Sequence, residues 1–220
     1  MKNEIVIGID EAGMGPVFGP LVVCGVALYK RDLKGVRALG VADSKRFGSG
    51  RSARRKRETV CSAVSGKIVK KMIIAVEPEM IESGNLYTLH VDSVKAILRE
   101  LSWPSAESVI IDRVGGLKRE SFLKMLGFWH SGFIYENKAD EKFTAVSLAS
   151  MFAKTMRDRA VEGLCREMGE SYVSGYANAA TENLLRRYFE KHGALPPGTR
   201  VSYSWKPIND MLSASGDTLF

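Results

Sequence analysis

Cysteine and histidine are scarce in this chain, three of each in 220 residues. Cys24, Cys61 and Cys165 are scattered and odd in number, which argues against a disulfide framework; His90, His130 and His192 are equally dispersed, none at zinc-ligand spacing from a cysteine. The thiols read as small buried hydrophobes in a reducing compartment. Long hydrophobic runs are also missing. None approaches the roughly 20 residues that a membrane span needs. Met1-Lys2-Asn3-Glu4 leads straight into a strand with no apolar leader segment, so a cytoplasmic protein is the expectation. Internal repeats and low-complexity stretches are absent as well. What is present, 45% hydrophobic and 26% charged residues, is the composition of a globular domain with a substantial core. The length allows one large domain, or one domain with a small appendage.

The charge balance is basic, +7 with a pI near 9.3, which favours a polyanionic partner. Lys45, Arg46, Arg51, Arg54, Arg55, Lys56 and Arg57 crowd one short region. Alone, such a run is more often a solvated face. Beside an acidic site it suits phosphate-backbone binding, because Lys and Arg displace the counterions of a nucleic acid. That acidic site has a candidate. Asp10 and Glu11 are adjacent at the end of the apolar segment Ile5-Val6-Ile7-Gly8-Ile9 and precede Ala12-Gly13-Met14-Gly15-Pro16. Ionised groups resist burial unless paired or bound to metal. Oxygen ligands beside a glycine-rich backbone suit a hard cation such as Mg2+ and a phosphate-bearing substrate.

Strands and helices alternate along the chain. Residues 5–9 and 21–29 read as adjacent, antiparallel strands joined through Gly19-Pro20. Residues 52–65 suggest a basic helix, 68–76 a third strand, and 88–101 a helix stopped before Pro104. A short strand over 109–111 ends in Asp112, and 128–135 suggests a fifth strand. One long helix is expected from Glu141 to about Met168, apolar nearly all round in its first half. Another runs over 182–192, capped by Thr181 and closed by Gly193. The division is an α/β core over 1–168 and a C-terminal helical appendage over 169–220.

Asp112 should sit at a strand's C-terminal edge, where α/β sheets place ligands, although a turn-forming Asp is the simpler reading of that residue alone. Asp140, just before the long helix, is open to a plain reading as an N-cap. Alternation also points Asp10 and Glu11 to opposite faces. They converge only if the strand bends or ends between them, and Gly13 offers a place for that.

The run Gly8-Ile9-Asp10-Glu11-Ala12-Gly13-Met14-Gly15-Pro16-Val17-Phe18-Gly19-Pro20-Leu21-Val22 resembles the opening motif of type 2 ribonucleases H, the ribonuclease HII family. Ala42-Asp43-Ser44-Lys45, Lys138-Ala139-Asp140 with the helix through Asp158, Ser174-Gly175-Tyr176 and Ser204-Trp205-Lys206 resemble its later motifs, the last as in archaeal-type members. The resemblance implies an RNase H-like fold: a five-stranded mixed sheet with helices on both faces, plus a C-terminal helical segment. It implies endonucleolytic cleavage of the RNA strand of RNA–DNA hybrids, or at ribonucleotides embedded in duplex DNA, leaving 5′-phosphate and 3′-hydroxyl ends. By the same resemblance Asp10, Glu11, Asp112 and Asp140 are the metal-binding carboxylates. They would hold two Mg2+ or Mn2+ ions about 4 Å apart that activate a water and stabilise the departing oxygen. Gly13, Met14 and Gly15 would approach the ribose 2′-OH, Tyr176 would abut the sugar, and Lys45 and Arg46 would clamp a phosphate.

Two departures stand out. Met14 occupies the place where the family usually has Arg between two glycines, as the related type 3 enzymes also lack it, which leaves a hybrid-only preference open. Arg113 follows Asp112 where Gly is common. A non-catalytic nucleic-acid binder on the same fold is the rival of another class, but it gains nothing from carboxylates facing phosphates. A P-loop is excluded by the missing Gly-Lys-Ser/Thr ending, and a dinucleotide-binding turn by the strand that follows directly. A monomer is expected. A sliding-clamp contact through Leu219-Phe220 is the alternative to a frayed tail.

Overall fold

Apolar, β-branched residues on both faces mark a strand covered on both sides, and the two central strands have that pattern. They are β1 (Ile5–Ala12) and β2 (Leu21–Tyr29), both buried along nearly their whole length. The structure, a computed structural model, describes residues 4–41, 47–48, 50–129 and 131–215. Lys45, Arg46, the segment 42–45, His130 and the Leu219-Phe220 tail lie outside the described residues. With β3 (Ile68–Val76), β4 (Ser108–Asp112) and β5 (Phe133–Glu136), the strands form one sheet in the order β3-β2-β1-β4-β5. The β1–β2 and β2–β3 pairs are antiparallel, and β1–β4 and β4–β5 are parallel. The sheet is therefore mixed, as expected, with the short Gly-Pro connection making the antiparallel pair.

Each face of the sheet has its own core. Ile7, Ile9, Val109 and Ile111 pack against Val91, Val94, Ile97 and Leu98 of helix α4 (Leu86–Glu100) and Phe122 of α5 (Arg119–Leu126). On the other face, Val6, Val22, Val26 and Ile110 pack against Ala145, Val146, Leu148, Ala149 and Met151 of α7 (Thr144–Glu167). A third cluster joins Val17 and Phe18 to Val161 and Cys165 in the second half of α7. It extends to Leu184 and Leu185 of α8 (Ala179–His192) and to Ile208 and Met211 of α9 (Lys206–Ser215). The three cysteines are buried and free, as read. Smaller helices complete the chain: α1 (Leu33–Ala38), α2 (Gly50–Ala63), α3 (Pro78–Ser83) and α6 (Ala139–Lys142). Among the described residues no helix is long and apolar enough to cross a membrane.

Several boundaries differ from the sequence reading. β1 continues to Ala12 and does not stop at Ile9, because Asp10 and Glu11 still pair with Cys24 and Val23. α4 starts at Leu86, two residues before the expected start, because Asn85 Oδ1 accepts from the N–H groups of Tyr87 (3.0 Å) and Thr88 (3.1 Å). Phe128 and Trp129 precede β5; they stack around Trp103 and Phe133, and their aromatic packing mimicked a strand pattern. The long helix is two, α6 and α7, broken at Phe143, whose extended backbone (φ −116°, ψ 119°) interrupts the turn. α8 is capped by Asn178, which accepts from Thr181 N–H at 3.1 Å, so Thr181 is inside the helix and not its cap.

Gly8 sets how closely α7 approaches the sheet. A Cβ at this position would overlap the Ala145–Val146 peptide. Gly8→Ala is expected to push the helix off β1 and destabilise the protein by about 1–3 kcal/mol or more, the usual range for overpacking. Urea unfolding checks this, and a midpoint equal to wild type would contradict the close approach.

Candidate active site

The register of β1 and β4 brings the first acids together. Ile9 pairs with Ile111, so the next residues of these parallel neighbours, Asp10 and Asp112, stand side by side at the C-terminal edge of the sheet. Asp10 lies on the α7 side and is 5% exposed. Glu11 leaves the opposite face, beside α4, as alternation demands, and the strand does not end between the two. Asp140 sits in the first turn of α6, next to Ala139, whose N–H donates to Asp112 Oδ1 at 2.5 Å. Lys138 and Phe143 occupy the cap positions of α6 and α7, so Asp140 is not the N-cap of the long helix.

Asp10 and Asp112 are both held back from ionising, first by burial and then by the neighbouring carboxylates. Burial, then the charges of Glu11 and Asp112, raise Asp10 well above the ordinary carboxylate range, against Ser150 and Lys154 of α7. Burial pushes Asp112 up to about 6; the charges of Glu11 and Asp140 act the same way, while the Ala139 N–H opposes them. On the α4 side, Glu11 Oε2 is buried and makes no hydrogen bond, with His90 Nε2 3.6 Å away. His90 was not anticipated. Its signal was a histidine inside the buried stripe His90, Val94, Ile97 of α4.

An open groove of about 380 Å3 begins at Glu11 and runs along Gly13, Met14 and Gly15. Arg54 and Arg57 of α2, Lys154 of α7, Tyr172 and Tyr176 line the rest. Arg57 donates to Asp158 at 2.6 Å, and Arg54 lies over the Tyr172 ring at 3.9 Å. Tyr176 is half exposed at the rim, with the Arg157 guanidinium 5.4 Å from its ring. Met14 is partly buried against the α4-side core, and Arg113 is exposed. The buried Arg157 and Arg200 were also not anticipated, since nothing in a lone arginine's neighbours along the chain announces burial.

The donor set suits a hard divalent cation. It offers carboxylate groups at and beside the sheet edge, two of them held back from ionising by burial, and one orphaned buried oxygen on Glu11. Among the described residues no three such side chains are already drawn into a cage. The acids form an edge fed from two faces of the sheet.

Residues 7–206 match the family model for ribonuclease HII. The ribonuclease HII of Methanocella arvoryzae is 33% identical over 222 residues, covering 96% of this chain and 93% of that protein. Ribonuclease H2 from Pyrococcus horikoshii OT3 superposes with a TM-score of 0.81 at 27% identity, over 97% of this chain and all of that one (100%). The PCNA:RNase HII complex from Archaeoglobus fulgidus contains a chain that matches with a TM-score of 0.76 at 28% identity, over 94% of this chain and 96% of that one.

The raised carboxylates have a consequence for stability. Asp112 ionises near pH 4 when unfolded but near 6 when folded, so the folded state holds the extra proton between those values. Its contribution to stability is complete below about pH 4 and is lost as pH rises through about 6. In metal-free protein, Asp112→Asn keeps an acceptor for the Ala139 N–H and removes the charge. It should raise the thermal midpoint at pH 7.5 and change it little at pH 4. A lower midpoint at both pH values would contradict the charge crowding.

Proposed function

This chain belongs to the ribonuclease HII family, and from that premise we infer which of its residues carry the reaction. It is a ribonuclease H, a hydrolase that cuts the RNA strand of RNA–DNA hybrids or at ribonucleotides embedded in duplex DNA. The family is metal-dependent. Asp10, Glu11, Asp112 and Asp140 are proposed as the residues that hold the metal, and the observation that carries this is the parallel register Ile9–Ile111, which leaves Asp10 and Asp112 next to each other where the strands end, close enough for the charge of one to act on the other. Two Mg2+ or Mn2+ ions bound there would supply an activated water and neutralise charge on the departing oxygen. That chemistry yields 5′-phosphate and 3′-hydroxyl ends.

The rest of the machinery is positional. The Gly13-Met14-Gly15 backbone is proposed to meet the ribose 2′-OH, with Tyr176 against the sugar from the other wall of the groove. Arg54, Arg57 and Lys154 extend the cationic lining, and Lys45 and Arg46 are proposed to hold a further phosphate. The core over 1–168 would carry the chemistry and the appendage over 169–220 would frame the groove. The chain is proposed to act as a cytoplasmic monomer. Because an archaeal relative has been solved with PCNA, a sliding clamp is proposed as the partner of the Leu219-Phe220 tail.

Cleavage of a labelled RNA–DNA hybrid with Mg2+ or Mn2+, compared with excess chelator, tests the metal-dependent reaction. Asp10→Asn and Asp112→Asn should abolish cleavage while leaving hybrid binding largely intact; near-wild-type turnover in either would refute the carboxylate roles. Met14 offers only apolar contact where an arginine would make a charge-assisted hydrogen bond worth roughly 1.5–3 kcal/mol. Continuous hybrids should therefore be cut more readily than a lone ribonucleotide in DNA, and Met14→Arg should narrow that gap in kcat/KM. A wild-type preference for the single ribonucleotide, unchanged by the substitution, would contradict this.

A further inference from the structure

The loop from Gly13 to Gly19 is gripped from behind by the C-terminal part of the chain. Arg200 is fully buried, and three of its N–H groups reach loop carbonyls. Nη1 donates to Gly13 O and Nε to Gly19 O, each at 2.7 Å, and the backbone N–H donates to Val17 O at 2.8 Å. The Tyr203 hydroxyl donates to Met14 O. A buried guanidinium whose Nε and Nη1 meet only neutral carbonyls and whose Nη2 has no acceptor among the described residues is costly, and burial lowers its pKa to about 10, leaving it charged at neutral pH. Such a group is not there for packing volume alone.

The planarity of the peptide bond turns this grip into an orientation. In a trans peptide the C=O and the following N–H point in opposite directions. No cis peptide occurs among the described residues. With Gly13 C=O drawn to Arg200, the Met14 N–H points the other way. With Met14 C=O drawn to Tyr203, so does the Gly15 N–H. Neither N–H has a protein acceptor among the described residues, and both residues line the groove. Donation to each carbonyl also polarises its peptide, which strengthens the outward N–H as a donor. The loop conformation itself requires glycine at position 13: its φ is +107°, and a Cβ there would lie 2.5 Å from Pro20 O and 2.9 Å from Arg157 Nε.

We propose that Arg200 and Tyr203 are positioning residues that aim the Met14 and Gly15 N–H groups into the groove, so that the C-terminal segment sets how sharply the site separates ribose from deoxyribose. This rests on the reading that the loop meets the 2′-OH. Two donors facing outward fit a hydroxyl oxygen, which all-DNA duplexes lack. Phosphate contacts elsewhere in the groove are common to both duplexes and are unaffected.

The test uses the full chain. Tyr203→Phe removes one hydroxyl from a half-buried ring, and Arg200→Lys keeps the charge but cannot bridge Gly13 and Gly19. For Tyr203→Phe, kcat/KM on an RNA–DNA hybrid should fall about tenfold, the effect of one lost hydrogen bond, with kcat reduced and KM raised as the contact to the 2′-OH weakens. The ratio of hybrid to all-DNA duplex affinity should fall, and amide exchange at residues 13–15 should quicken. Arg200→Lys should lose more. If it does not fold, the Tyr203→Phe result decides. Wild-type kcat, affinity ratio and exchange in Tyr203→Phe overturn the proposal, and so does a lower thermal midpoint with an unchanged ratio. A hybrid with a 2′-O-methyl group at the scissile nucleotide separates the two ideas. If wild type cuts it as fast as the unmodified hybrid, the loop reading itself fails.

Discussion

The structure depends on charge crowded where the central strands end. Asp10 and Asp112 are neighbours because β1 and β4 run parallel in register, and Glu11 adds its charge from the opposite face. Folding takes Asp10 and Asp112 out of water, and Lys154 of α7 offsets this only in part at Asp10, so burial works against the ionisation of both. The apolar cores on both faces supply the opposing free energy. α7 closes on Gly8 and α4 closes on Ile9 and Ile111, and together they hold the sheet edge where the acids must sit. A fold that needed only stability would place leucines or polar turn residues there. Stability given up at one edge is the signature of a site built for a charged ligand.

Around that edge the remaining charge is arranged in the opposite sense. α2 and α7 bring Arg54, Arg57 and Lys154 to the groove, so a polyanion is attracted to the walls and a cation to the floor. Part of the basic run is neutralised internally, as in Arg57–Asp158 and Arg54–Glu162. Those pairs tie α2 to α7 and hold the wall in shape. The two buried arginines are a different use of the same residue type, since they satisfy loop carbonyls and contribute no surface charge.

Much of this was legible in the chain itself, and for identifiable reasons. β2 and β3 matched their expected limits to the residue because Gly, Pro and a change to polar composition bound them. The Asp10-Glu11 pair and Asp112 stood out because carboxylates after apolar strands have no packing role. Helix breaks and caps were less legible. Phe143 ends a turn by its backbone angles, which its apolar side chain does not advertise, and Asn178 competed with an equally plausible Thr181. Short elements such as α1 and α5 had too few turns to show a period. Contacts across 139 and 187 residues, such as Arg157 to Phe18 and Arg200 to Gly13, leave no local trace at all. The RNase H-like fold was in reach, while the support behind the loop was not.

The central proposal is that the carboxylate edge, which holds protons it would not hold in water, gives them up to a divalent cation. Calorimetric titration of the metal-free protein with Mn2+, run in buffers of different ionisation enthalpy, measures that exchange directly. Metal binding at pH 6 should release protons, because Asp10 and Asp112 must ionise to coordinate, and the release should shrink by pH 8 as Asp112 ionises beforehand. Binding at pH 6 with no proton release, or no binding at all, would contradict the account.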